Sequence, residues 1–180
     1  MPGPDAPYTE PWLRGTHSDV PAAGRAVLHA LELAFEDLTK WTEGLTDAEV
    51  HAELPTLPSL AFLLRHIAGS VDRILTYAEG GQLSAEQLAV LKNEQSRAEE
   101  GSEAIQESLA ALLAAVEISL SNAADRIRTL AARDLETPRF VGRKQLPTSL
   151  GGALIHVADH TQRHVGQVIT TAKVLKALRT

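Results

Sequence analysis

Apolar residues recur at helical spacing through four long stretches of the chain, and no stretch alternates convincingly as a strand would. The first stretch predicts a helix opening at Asp19-Val20-Pro21, with a side-chain cap and proline in the first turn. Leu28, Leu31, Phe35 and Leu38 form its apolar stripe, and Gly44 is a suitable stop. Thr46-Asp47-Ala48-Glu49 has the spacing of a capping box and predicts a short turn before the loop Pro55-Thr56-Leu57-Pro58. A second helix is expected from Ser59 to Gly80-Gly81. Ser84 caps a further helical stretch through Leu88 and Leu91, which Gly101-Ser102 interrupts. A third apolar run extends from Ile105 to Leu130. Asp134 to Pro147 reads as a loop with room for a small hairpin, and the last helix runs from about Thr148 to Leu178.

Prolines 2, 4, 7 and 11, with Gly3 and Gly15, predict an extended N-terminal arm over residues 1–17, which Tyr8 and Trp12 would anchor. Residues 18–180 then form a single domain. Four long helices make an all-α, up-down four-helix bundle the simplest architecture. Ser59-Leu60 through His66-Ile67-Ala68 aligns without gaps on Ser149-Leu150 through His156-Val157-Ala158. The second and fourth long helices thus look like the second members of two related hairpins, although shared capping and amphipathicity also produce such a match.

Composition narrows the chemistry. Ala and Leu fill the apolar positions while aromatics make up 4% of the chain, which suits helices. A formal net charge of -6 without a basic patch argues against nucleic acid as a partner. The absence of cysteine removes disulfides, thiolate ligands and a Cys nucleophile, so any metal must be held by nitrogen and oxygen. No signal-peptide pattern opens the chain, and no apolar stretch approaches the roughly 20 residues that span a bilayer. These features predict a cytoplasmic protein with no membrane partner. The acids between Glu94 and Glu107 read as a solvated face.

Three of the seven histidines lie in His156-Val-Ala-Asp-His160-Thr-Gln-Arg-His164. Imidazoles four residues apart on a helix lie on one face and can chelate one ion. On a helical wheel, His164 lies nearest the apolar stripe, His160 at its edge and His156 ~40° further out. His66, beside Leu63, Ile67 and Val71, is the strongest candidate for a third ligand from another helix. His17, in the arm, and His29 and His51 lack comparable context. Ordinary hydrogen-bonded or solvent-facing histidines would fit the same wheel. Gln167, Ser70 and Tyr77 lie near the histidine faces as candidate pocket residues, with His156 as a further one. Asp159, about 100° from His160, reads as a surface charge.

Pro58-Ser59-Leu60 leading to Leu64-Arg65-His66-Ile67-Ala68, followed by Leu146-Pro147-Thr148 and the run from His156 to Gly166-Gln167, resembles the DinB/YfiT-like superfamily. The resemblance covers the chain from about residue 20 onward and is most specific in the last helix. It implies a four-helix bundle, usually a homodimer, holding one divalent transition metal, nickel or zinc, through three histidines. His66, His160 and His164 fall at the ligand positions of that pattern. Relatives include transferases and isomerases that use a low-molecular-weight thiol, while many members have no assigned reaction. Two readings stay open: a metal-dependent thiol transferase or hydrolase acting on a small-molecule substrate, and a non-catalytic metal-binding stress-response bundle. An interaction module using the acidic central stretch ranks third.

Overall fold

Six helices and one hairpin make up the computed structural model, which describes residues 8–97 and 107–179. In chain order these are α1 (Ala22–Thr42), α2 (Asp47–Val50), α3 (Leu60–Ala78), α4 (Ala85–Arg97), α5 (Leu109–Ala131), β1 (Pro138–Val141), β2 (Leu146–Ser149) and α6 (Leu150–Ala177). The predicted break at Gly101-Ser102 and the expected start at Ile105 lie outside the described residues. No helix among those described is long and apolar enough to cross a membrane.

Local chemistry explains most of the boundaries. Ser59, Ser108 and Ser149 each cap a long helix by accepting a bond from the backbone N–H three residues on. The shared serine cap accounts for much of the echo between residues 59–68 and 149–158. Thr46 and Glu49 form the complete capping box of α2. α1 is the exception: Pro21 occupies its cap position and no side chain caps it, so the Asp19 cap does not form. Thr148 belongs to β2, and α6 starts two residues later than expected. At the end of α3, Gly80 takes a φ of +91°, where a side chain would be strained. The Gly80 and Gly81 N–H groups then return to Tyr77 and Thr76 and satisfy the last carbonyls.

The order of the helices departs from an alternating up-down bundle. α1 packs on α6 and α5, and α3 packs on α5 and α6, whereas α1 and α3, like α5 and α6, are nearly out of contact. Gln162 donates to the Ala30 carbonyl and Lys176 to the Trp41 carbonyl, so α1 and α6 run parallel. Ser119 donates to Ala68 while Arg126 reaches Asp72 and Glu79, so α3 and α5 are parallel too. The sequence of directions is therefore up-down-down-up, and the two expected hairpins do not form. The physical reason is α4. Its Gln87 bonds Asp72 and Thr76 while Glu94 bonds Arg73 and His66, which takes the chain back along α3 to the end where α3 began. From there α5 sets out in the same direction as α3.

One apolar core joins the four long helices, with Leu38, Leu63, Leu64, Ile67, Val116, Ile127, Leu154 and Val168 all essentially inaccessible. Residues 8–17 of the arm are more ordered than its breakers suggest. Residues Pro11–Leu13 form a 3₁₀ turn, and both Tyr8 and Arg14 bond Glu36 of α1. Tyr8 and Trp12 are 65% and 61% exposed, so neither packs into the bundle; Tyr8 reaches α1 through its hydroxyl bond to Glu36, while Trp12 bonds Glu10 within the arm. Residues 138–149 form an antiparallel hairpin in which Phe140 pairs with Pro147. Its buried Arg139 donates to the Ala78 carbonyl and ties the hairpin to the end of α3.

Candidate metal centre

The antiparallel packing of α3 on α6 brings His66 against the His160–His164 face. His66 is preceded by fully buried Leu63 and Leu64 and followed by buried Ile67, so the core fixes its rotation about the α3 axis. The ring of His164 lies 4.5 Å from those of His66 and His160, centre to centre. The Nε2 atoms of His66 and His160 stand 3.1 Å apart. One candidate ligand atom from each of the three lies within 4.8 Å of the other two.

Two of the rings have acceptors behind them. His66 Nδ1 lies 3.3 Å from a Glu94 carboxylate oxygen, and His164 Nδ1 lies 2.6 Å from Gln167 Oε1. An acceptor behind Nδ1 favours the form with hydrogen there, which leaves the Nε2 lone pair for the cluster. Phe62 stacks on His66 with the ring planes 12° apart and closes one side. Burial, and then the neighbouring His164 and His66, push His160 down to about 4. Burial likewise lowers His164, against the opposing bond to Gln167. At neutral pH these rings therefore offer lone pairs and not charges.

The arrangement fits a divalent transition metal. Nitrogens sharing one tetrahedral ion at roughly 2.0–2.1 Å lie about 3.3 Å from each other, close to the His66–His160 separation of 3.1 Å. Backing a ligating imidazole with an acceptor on its far nitrogen is the usual outer arrangement of such sites.

A second cluster, His17, His29 and Glu32, also brings three candidate ligand atoms together, although sequence context had set both histidines aside. Its hydrogen bonds do not suit an ion. Arg128 Nη2, which can only donate, lies 2.7 Å from His17 Nδ1, so the ring hydrogen sits on Nε2 and points at Glu32 at 2.6 Å. His29 Nε2 is engaged with Thr16. These residues fasten the arm across α1 and α5.

The other expected site residues are dispersed. His156 is half exposed and bonds Asp159 at 2.8 Å, although its ring lies 5.3 Å from that of His160. Ser70 is buried and donates to the Ile67 carbonyl of its own helix, which leaves it no hydroxyl hydrogen for a pocket. Tyr77 lies eleven residues beyond His66, about 16 Å along the helix, and the structure does not bring it to the cluster. Glu94 is not on a solvated face: it is only 5% exposed and bonds Arg73 through both oxygens. The missed signal was Arg73. Seven residues after His66 it returns to the same stripe of α3, where a buried cation needs a carboxylate partner.

The sequence profile of the DinB superfamily matches residues 30–168, a span holding all three clustered histidines and Glu94. No curated protein matches the chain.

Proposed function

Because this chain belongs to the DinB superfamily, we propose that it is a metal-dependent enzyme whose His66, His160 and His164 hold one divalent transition metal, nickel or zinc. The convergence of three imidazoles, two with acceptors on their outer nitrogens, carries this reading. When bound, such an ion lowers the pKa of a coordinated water or thiol toward neutrality and so supplies a nucleophile. The chain's own part is to keep His160 and His164 neutral through burial, to orient His66 and His164 through Glu94 and Gln167, and to wall one side with Phe62. Three protein ligands leave a position free for a small-molecule substrate, unlike structural zinc, which takes four. Thiol transfer and hydrolysis share this first step. The family resemblance, with its low-molecular-weight thiols, favours transfer, and it also implies a homodimer.

Two measurements test the reading. Untagged protein is expected to carry about one ion per chain by elemental analysis and the His160→Ala variant almost none; equal content would overturn the ligand assignment. Metal-loaded protein offered a low-molecular-weight thiol and an electrophile such as monochlorobimane should turn over faster than His164→Ala. Activity no higher than that variant with every thiol tried would exclude the transferase and point to a hydrolase or a non-catalytic metal-binding bundle.

A further inference from the structure

Three groups stand in line on one stripe of α3: His66, Gly69 and Arg73. Opposite them the return helix α4 places Glu94. The carboxylate is 5% exposed and receives Arg73 Nη1 on Oε1 at 2.8 Å and Nη2 on Oε2 at 3.0 Å. Arg73 alone would satisfy the charge of Glu94, yet Oε2 also faces His66 Nδ1 at 3.3 Å. Space has been kept for this meeting. A Cβ on Gly69 would stand 2.3 Å from Glu94 Oε1 and 2.6 Å from Arg73 Nη1, so any side chain there would push the pair away. His164, by contrast, is backed only by the neutral and exposed Gln167.

We infer that Glu94 is a positioning residue, which holds His66 in its Nδ1–H tautomer and thereby turns the Nε2 lone pair toward His160 and His164. A neutral imidazole left alone distributes its hydrogen over both nitrogens, and with the hydrogen on Nε2 the ring offers the cluster no lone pair. A carboxylate can only accept, so it selects the one useful form. Arg73 fixes the carboxylate and cancels its charge, so that the ring is oriented without a net negative charge being left in the core. In this arrangement α4 both reverses the chain direction and delivers the group that orients His66. The consequence for metal affinity rests on the function proposed above; the consequence for the tautomer does not.

The test reads the tautomer directly. Long-range ¹H–¹⁵N spectra of metal-free protein, with His66 assigned by its loss in His66→Gln, should show hydrogen on Nδ1. Removing Glu94 alone strands the buried Arg73, so the informative variant is the double substitution Arg73→Met with Glu94→Leu, accompanied by Arg73→Met with Glu94→Gln, which retains an acceptor. In the double variant the His66 hydrogen is expected to move largely to Nε2, and zinc affinity by chelator competition to fall about 10- to 100-fold. Arg73→Met with Glu94→Gln should restore much of the Nδ1–H form. A wild-type ring protonated at Nε2, or a tautomer unchanged in the folded double variant, would overturn the inference and leave Glu94 as packing. If the wild type takes up no zinc, the metal reading fails and the tautomer result alone decides the role of Glu94.

Discussion

His156 and His160 are one turn apart on the same helix and nonetheless serve different surroundings. His160 is packed among His66 and His164, whereas His156 is half exposed and spends its Nδ1 on Asp159. Replacing His156 with alanine is therefore expected to leave the metal content near one ion per chain, the outcome opposite to that of His160→Ala. Elemental analysis of the two variants side by side checks this, and loss of metal from His156→Ala would show that the first set of ligands has been misjudged. The helical wheel carries enough information to rank these neighbours because both answer to a single local variable, the angle from the apolar stripe. It says nothing of Glu94, whose burial is decided by a helix returning from elsewhere. The same holds for His17 and His29. They come from separate segments, His17 held by Arg128 of α5 and His29 by Thr16 of the arm.

At the scale of elements, the short α2 has an importance beyond its four residues. Glu49 closes the capping box with Thr46 and also pairs with Arg179 just beyond the end of α6. The bond from Arg179, followed by those from Thr46, lowers Glu49 from 4.5 to about 2. The unfolded chain therefore takes up this proton first as the pH falls. The stabilisation from Glu49 is whole above about 4.5 and is lost as the pH falls toward 2. Urea midpoints should show the native chain more stable than Glu49→Gln at pH 5, with the gap narrowing at pH 3; a constant gap would contradict the pairing. The capping box was legible in four consecutive letters, as were the serine caps, because a cap depends on its own turn alone. The direction of α5 was not legible. Nothing in residues 109–131 records that α4 has already carried the chain back along α3.

For the whole molecule, the parallel pairing of α1 with α6 and of α3 with α5 leaves α1 to meet α5 in the opposite direction. Those two helices approach closely at Gly24, where an added Cβ would lie 2.3 Å from the Cβ of Ala131. Gly24→Ala should therefore lower stability by ~1–3 kcal/mol, the usual cost of overpacking, in spite of alanine's better helix propensity. Chemical denaturation measures this, and a more stable variant would show that the contact yields easily. A glycine near a helix start reads in sequence as a weak spot. Its use as a point of contact appears only when the partner helix is known.

The cluster joins residues that lie far apart in the chain, His66 on α3 and His160 on α6, 94 positions later. That separation sets an order of events during synthesis. Chains grow from the N-terminus at about 5–20 residues per second, so α3 and α4 are complete, and Arg73 and Glu94 can pair behind His66, for several seconds before His160 and His164 exist. A chain stalled before α6 would hold His66 without His160 and His164, so the cluster comes together only with the last helix.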